Sequence, residues 1–225
     1  MTMDFEHIRE EISHSLRNGD ILSIAIRGVT TTTDSFIATA SQTVFNLTQT
    51  GIKNIRSLTV NSVAKYLFRD YTYNGATGVV TLNTGAGIGE AVVIQYDYSA
   101  SADKIYPDMP RVDLTLTSFP RVGIEITNSN TMPFGLGGMT HISDLLITVY
   151  AWVPVNKDTS IAGGLGGTAD LNDLIKNIRD TIRTNAKSYY NFTYITPKST
   201  SPVIKGENNK IIQLSQDFYI KFLTE

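Results

Sequence analysis

Hydrophobic residues recur along this chain at two different spacings, and each spacing predicts a different kind of element. In two stretches they fall three or four residues apart, which favours an amphipathic helix. Elsewhere they alternate with polar residues, which is typical of half-buried strands. The first helical stripe contains Phe5, Ile8, Ile12 and Leu16; the second contains Leu171, Leu174, Ile175, Ile178 and Ile182. The pattern therefore predicts two helices among many strands.

Four segments outside the helices carry strand patterns: Ile21–Arg27, Val122–Ile126, Ile142–Val153 and Ile212–Phe222. The segment Asn128–His141 contains three glycines and one proline, and it is predicted to be a long loop. Together these elements predict an α+β fold, in which two helices cover one face of a small, largely antiparallel sheet.

Two helices cannot cover both faces of such a sheet. Leu146, Tyr150 and Trp152 fall on one side of the Ile142–Val153 strand and make the second face partly apolar. We therefore expect that face to contact another subunit.

Residues 34–98 form a separate pattern of five short β-rich segments with an Asn74-Gly75 turn signal. Small-residue segments precede and follow them, at Thr30–Thr33 and Ser99–Ala102. These features predict an all-β sandwich domain, residues 34–98, inserted into a framework domain made of residues 1–33 and 99–225.

Composition narrows the possible partners. The 225 residues are 41% hydrophobic, carry a formal net charge of -2 and include no cysteine. This charge gives no reason to expect avid binding to nucleic acid or to an anionic membrane, and thiolate metal sites are excluded. No apolar run reaches the roughly 20 residues that span a bilayer, so we expect no membrane association.

Candidate catalytic groups do not assemble along the chain. His141, Ser143 and Asp144 are nearly consecutive, and a strand places Asp144 on the opposite face, so they cannot form a relay. The glycine-rich Ile161–Thr168 segment lacks a phosphate-loop lysine. His7 and His14, seven residues apart on the first helix, do not have metal-ligand spacing. The sequence therefore predicts no enzyme activity, no metal and no cofactor.

Two surfaces are candidates for contacts. The loop containing Phe134, Leu136 and Met139 is unusually apolar for a solvent-exposed segment. These side chains are as well explained by burial within their own subunit as by burial against a neighbouring subunit. Lys176, Arg179 and Arg183 concentrate positive charge on the second helix. These residues form either a solvated helix face or a contact surface. The partner of such a surface would be an acidic patch on another protein or passing DNA.

The inserted module resembles the immunoglobulin-like or fibronectin-like domains of phage virion proteins. The residues that carry this resemblance are Asp70–Tyr73, Gly78–Leu82 and Ile94–Tyr98.

The framework resembles tail terminator or tail completion proteins of long-tailed viruses. The resemblance is carried by the N-terminal helix, Pro120–Ile126, Ile147–Trp152, Asp170–Ile175 and the terminal strand. It implies a structural virion protein, made in the host cytoplasm and located in the virion at the head–tail interface. Subunits of this family form a hexameric ring that ends tube assembly and joins tail to head.

The partners implied are further copies of the chain, the tail tube protein and the head–tail connector or neck protein, with DNA only passing through the lumen. Tyr150, Trp152 and the Phe134–Met139 loop would then lie at subunit or tube interfaces. Two alternatives stay open: a head-completion or neck protein of the same joint, and a glycan-binding decoration protein using the tyrosines of the module.

Overall fold

The computed structural model describes residues 5–22, 29–99, 104–107, 119–134, 140–156, 166–186, 192–205 and 210–224. The chain divides into two compact units: unit 1 is Met1–Ile26 with Lys104–Glu225, and unit 2 is Arg27–Asp103. The domain boundaries expected at residues 34 and 98 lie inside unit 2.

Unit 2 is built from seven described strands in two antiparallel sheets. Their order is β1-β7-β3-β4 in one sheet and β2-β6-β5 in the other. The bounds are β1 Thr30–Ile37, β2 Gln42–Asn46, β3 Ile52–Val60, β4 Val63–Lys65, β5 Tyr71–Asn74, β6 Val79–Ala86 and β7 Ala91–Tyr98.

The core of unit 2 follows from residue alternation on these strands. In β7, Val92, Ile94 and Tyr96 are fully buried while Ala91, Val93 and Gln95 are exposed. Residues from both sheets, including Phe45, Ile55 and Val80, belong to the same buried cluster. The first strand was not foreseen, because Thr30–Thr33 were interpreted as a connection.

Unit 1 contains two described helices and one six-stranded sheet of order β11-β13-β10-β9-β8, with β12 also paired to β13. The bounds are α1 Phe5–Asn18, β8 Ile105–Tyr106, β9 Arg121–Phe134, β10 Thr140–Pro154, α2 Gly167–Thr184, β11 Phe192–Thr200, β12 Ile204–Lys205 and β13 Ile211–Thr224. Only the short β8–β9 pair among these is parallel.

One hydrophobic cluster joins the helices of unit 1 to its sheet. The predicted stripe of α2 is fully buried in it, as are Ile8, Ile12 and Leu16 of α1. Alternate residues of β10, from Leu145 to Val153, supply the sheet side. Both helix predictions are confirmed. Of the predicted Ile21–Arg27 strand, Ile21 and Leu22 are buried and the rest lies outside the described residues.

The predicted fold class is wrong. We expected an α+β fold with a small, helix-covered sheet and an inserted sandwich, but strands make up 57% and the two helices 18% of the described residues, spread over several sheets. The protein is mainly β.

The largest error concerns the predicted Asn128–His141 loop. β9 continues to Phe134 and β10 begins at Thr140. The loop was predicted from its glycines and proline, which have low strand propensity, but pairing along a long ladder overrides that propensity in the described part of the segment.

Candidate functional site

One side of the unit 1 sheet is lined by polar groups from neighbouring strands. We call it the polar face and define it by Glu125 of β9, Asp144, Thr148, Tyr150 and Trp152 of β10, and Gln213, Asp217, Tyr219 and Lys221 of β13. On β10 and β13 these residues alternate with those of the hydrophobic cluster. Alternation along a strand places the two sets on opposite faces.

Tyr150 and Trp152 are stacked on the polar face, with ring centroids 5.6 Å apart and an interplanar angle of 20°. Trp152 is only 3% exposed because it packs with Phe119 and Ile211 of its own chain. Its Nε1 donates to Gln213 Oε1 at 3.0 Å. A side chain this well covered has little surface left to offer a partner, whereas Tyr150 is half-buried.

The Tyr150 hydroxyl donates to Glu125 Oε2 at 2.9 Å. Burial, together with the hydrogen bond to the Glu125 carboxylate, raises the pKa of Tyr150 to about 12. The hydroxyl therefore stays protonated at neutral pH, and it holds Glu125 in a fixed orientation on the face.

The remaining carboxylates of the polar face are also engaged. Asp217 accepts hydrogen bonds from Thr148 Oγ1 at 2.9 Å and from Ser199 Oγ at 2.5 Å. Asp144 lies 3.8 Å from Lys221 Nζ, and its hydrogen bond with Tyr219 is the main cause that raises the pKa of that tyrosine. The face is a fixed acidic and hydroxyl-rich surface.

A β-structured extension continues β9 and β10 past the hydrophobic cluster, and Lys221–Thr224 of β13 pair along its His141–Asp144 side. We call it the arm and define it as Thr127–Phe134 of β9 with Thr140–Asp144 of β10. Residues from Asn128 to Met132 are all exposed, and Met132 is 48% exposed. The strands stay in register, and Thr131 Oγ1 lies 3.0 Å from Ser143 Oγ.

The arm begins beside a break in register on β10 between Leu146 and Ile147. Five consecutive residue pairs, from Asn130↔Asp144 to Phe134↔Thr140, then extend the sheet past Leu145 by about 15 Å at 3.3 Å per residue. Phe134 is the last residue of β9, while Leu136 and Met139 lie outside the described residues. Of the predicted apolar contact site, the structure therefore places only Phe134, at the end of β9.

The predicted basic surface is on α2. Lys176 and Arg183 are exposed and Arg179 is half-exposed. Arg179 Nε lies 3.7 Å from Asp180 Oδ1, and Asp173 is also exposed on this helix. Positive and negative charges are therefore interleaved over the solvated side of α2.

The three residues considered for a relay are separated as the strand pattern predicts. Ser143 is buried against Thr131 in the arm, whereas Asp144 is on the polar face beside Lys221. Within the part of the chain that the structure describes, no group of three or more acidic or histidine side chains has a metal-binding arrangement. No helix in that part is long and apolar enough to cross a membrane.

The tyrosines considered for glycan binding in unit 2 differ in exposure. Tyr71 and Tyr96 are buried in the core, at 2% and 0% exposure, so they cannot stack on a sugar. Tyr66 is 43% exposed, but the Arg69 guanidinium lies 4.2 Å from its ring centroid. This arrangement covers one face of the most accessible ring.

Asp70 holds the Arg69 side chain over that ring. Its Oδ2 accepts from Arg69 Nη2 at 2.8 Å and from the Tyr66 backbone N–H at 2.8 Å. Burial raises the pKa of Asp70, but these hydrogen bonds and the charges of Arg69 and Lys65 outweigh it, so the pKa lies below its ordinary value.

Sequence reasoning missed a second carboxylate in unit 2, which binds the connection between β2 and β3 and the neighbouring strand β7. Asp34 of β1 accepts from the Thr48 backbone N–H at 2.6 Å, from Thr48 Oγ1 at 2.9 Å and from the Tyr96 hydroxyl at 2.9 Å. The sequence did contain a pattern typical of a strand, in which Thr32, Asp34 and Phe36 alternate with the residues between them. The run of threonines was interpreted as a connection, so this pattern was not used.

A scan against protein-family models finds no match for the chain, and a search of curated proteins finds no similar sequence.

Proposed function

We propose that the protein is a structural virion component that forms a ring at the head-proximal end of a viral tail tube. There it terminates tube assembly and joins the tail to the head connector. The observation that carries the proposal is the arm, together with the resemblance of the framework to tail terminator proteins.

The arm supports a role in assembly because it contributes nothing to the hydrophobic cluster of its own unit. Its exposed residues from Asn130 to Met132 lie beyond the last cluster residue of β10, Leu145. On its inner side the arm is held by β13, which pairs with His141–Asp144, whereas no described strand pairs with the outer side of Thr127–Phe134. Contact with a neighbouring subunit or with the tube would cover that outer side and bury its exposed side chains.

The outer edge of β9 is a surface through which the arm could bind a neighbouring subunit. β8 pairs only with Val122 and Gly123, so the rest of β9 ends the sheet among the described strands. A free edge presents N–H and C=O groups that another strand can bind. Six heterologous contacts of this kind close a ring when each subunit is rotated by the same angle.

The polar face supports a position beside passing DNA. Glu125, Asp144 and Asp217 contribute carboxylates, and Lys221 is the neighbouring cation on β13. Carboxylates repel the negatively charged phosphates of DNA, so such a face would let DNA slide past without tight binding. The partners proposed are further copies of the chain, the tail tube protein and the connector or neck protein.

The test changes the arm without changing the core. Met132→Glu places a charge on the exposed apolar residue of the arm, and Ile204→Glu is the matched control because Ile204 is 51% exposed on β12 of the same unit. Burying a methionine side chain contributes about 1.5–3 kcal/mol. We therefore expect Met132→Glu to weaken assembly at least about tenfold.

Two measurements determine whether these variants assemble and cap tubes. Sedimentation gives the mass of the assembled species, and electron microscopy of purified tail tubes mixed with each variant shows whether the tubes are capped and stop growing. The proposal predicts capping by the native chain and Ile204→Glu but not by Met132→Glu. A native chain that stays monomeric at high concentration and leaves tube length unchanged would overturn it.

A neck protein at the same joint would use the same arm and ring. Labelling the protein in intact particles separates the two positions, because a terminator remains on tails detached from heads and a neck protein remains with the heads.

A further inference from the structure

The chain contains two Asn-Gly dipeptides, Asn18-Gly19 and Asn74-Gly75. Such dipeptides are prone to spontaneous deamidation, because glycine has no side chain to hinder attack by its backbone nitrogen on the preceding asparagine amide. In sequence the two sites are equivalent. The structure distinguishes them, since Asn18 ends α1 whereas Asn74 ends β5 at the hairpin turn to β6.

The side-chain amide of Asn74 is exposed, and its carbonyl oxygen is bound within the turn. Oδ1 accepts from the Ala76 N–H at 3.0 Å and from the Thr77 N–H at 3.2 Å. When a nitrogen attacks Cγ of this amide, negative charge develops on Oδ1. Two N–H groups that already point at this oxygen stabilise that charge in the way an oxyanion hole does.

The attacking nitrogen of the same turn is also available. The Gly75 carbonyl accepts from the Ile52 N–H at 2.7 Å, whereas the Gly75 N–H makes no hydrogen bond within the described part of the chain. The leaving group, Asn74 Nδ2, likewise has no hydrogen-bond partner among the described residues. The turn therefore binds the oxygen that gains charge and leaves both reacting nitrogens unoccupied.

The Asn18 site has the opposite arrangement. The Gly19 N–H donates to the Ser15 carbonyl at 2.9 Å, which continues the hydrogen bonding of α1. Asn18 Nδ2 lies 3.1 Å from His14 Nε2. Both the attacking nitrogen and the leaving group are thus engaged, and reaction at Asn18 has to break these contacts first.

We propose that Asn74 is a site of spontaneous deamidation, at which the hairpin turn supplies both the attacking nitrogen and the oxyanion donors. The Gly75 nitrogen bonds to Asn74 Cγ and releases its proton to solvent, while Nδ2 takes up a proton and leaves as ammonia. Water then opens the resulting cyclic imide to aspartate or to isoaspartate, whose main chain runs through Cβ. The inference concerns unit 2 alone and does not depend on the proposed ring.

The product alters the tip of the hairpin. Each conversion adds one carboxylate to a chain of formal net charge -2. In isoaspartate the main chain is also longer by one methylene, and the tip has little room for it, because a Cβ on Gly75 would lie 2.4 Å from the Ile52 carbonyl oxygen. We expect isoaspartate to break the hydrogen bond between Ile52 and Gly75 and so to loosen the hairpin from β3.

Incubation of the full-length chain at mildly alkaline pH, followed by proteolysis and mass spectrometry, gives the conversion rate at each asparagine. In the folded chain we expect Asn74 to convert at least about tenfold faster than Asn18. In concentrated urea the two rates should converge, because both dipeptides then lose their contacts. Equal rates in the folded chain, or a difference that persists unchanged in urea, would overturn the proposal.

The contribution of the turn is measured at Asn74 alone. Its conversion in the folded chain should be at least as fast as in urea, because unfolding removes the Ala76 and Thr77 donors from Oδ1. A slower conversion in the folded chain would show that the turn protects Asn74 instead of activating it, and would refute the proposed role of the donors.

Two variants provide a matched control. Asn74→Gln must close a larger ring, which forms far more slowly, so the acidic band that isoelectric focusing shows after incubation should disappear. Asn18→Gln should leave that band unchanged. An acidic band that persists in Asn74→Gln contradicts the assignment. Hydrogen exchange at the Ile52 amide should become faster in the converted native chain, and unchanged exchange would exclude the predicted loosening.

Discussion

Tyr96 carries a buried hydroxyl whose environment makes unit 2 sensitive to alkali. It is fully buried, donates to Asp34 Oδ2 at 2.9 Å and accepts from the Gln49 N–H at 3.3 Å. Burial, reinforced by the hydrogen bond to Asp34, raises the pKa of Tyr96 to about 12. The ordinary value for tyrosine is about 10.

A raised pKa in the folded state means that folding holds the proton more tightly. The resulting stabilisation is complete below pH 10 and is lost as pH rises from about 10 to about 12. We expect the free energy of unfolding of unit 2 to fall across this window. Tyr96→Phe should lower that free energy by about 0.5–1.5 kcal/mol at pH 7 and reduce its dependence on pH.

Urea unfolding followed by circular dichroism from pH 8 to pH 12 measures both effects. Trp152 is the single tryptophan and belongs to unit 1, so its fluorescence reports that unit separately. The exposed Tyr66→Phe variant is the control. A Tyr96→Phe protein with the native pH profile would contradict the assignment.

The end of α1 packs against α2 through a position that tolerates only glycine. A Cβ placed on Gly19 would lie 2.4 Å from Thr181 Cγ2 and 2.8 Å from Thr181 Oγ1. Threonine is β-branched and stiff, so its side chain cannot move away cheaply. We expect Gly19→Ala to destabilise unit 1 by about 1–3 kcal/mol.

A double-mutant cycle separates this contact from an intrinsic effect of alanine. Thr181→Ala removes both of the closest atoms, so the added cost of Gly19→Ala should shrink in its presence. Urea unfolding of the four proteins, followed by Trp152 fluorescence, provides the free energies. Equal costs of Gly19→Ala in both backgrounds would show that the two helices do not meet at this point.

Helices and strands differed in how well the sequence predicted them. The stripe of α2 was predicted residue by residue, because a helix satisfies its own backbone and shows its buried side as a local period. β1 was missed because its run of threonines resembles a connection, and the arm was missed because glycines and a proline in that segment favour a loop. Their backbone groups are satisfied by β7 and β10, which lie far away in sequence.

At the scale of the whole molecule, the two units are assigned to different parts of the chain: unit 2 to Arg27–Asp103, unit 1 to the segments on either side. Each has its own buried cluster. A segment with its own core is expected to fold as a unit and to be removable at its boundaries.

We therefore expect unit 1 to fold after residues 27–103 are replaced by a flexible glycine-serine linker of about six residues. Both described helices belong to unit 1, so the helical circular dichroism per molecule should be retained. Trp152 should keep the blue-shifted emission of a buried indole. Red-shifted emission without a cooperative urea transition would contradict this division of the chain.

The sequence by itself determined both helices, the inward-facing residues of most strands and the separation between His141 or Ser143 and Asp144, because these follow from periods within a few residues. Only the tertiary structure decided that the molecule is mainly β, that Trp152 is covered by Phe119, that Asn128–Phe134 of the predicted loop is a strand and that β1 forms an edge. The physical reason is that strand pairing and burial depend on residues distant in sequence, whose positions no local pattern records.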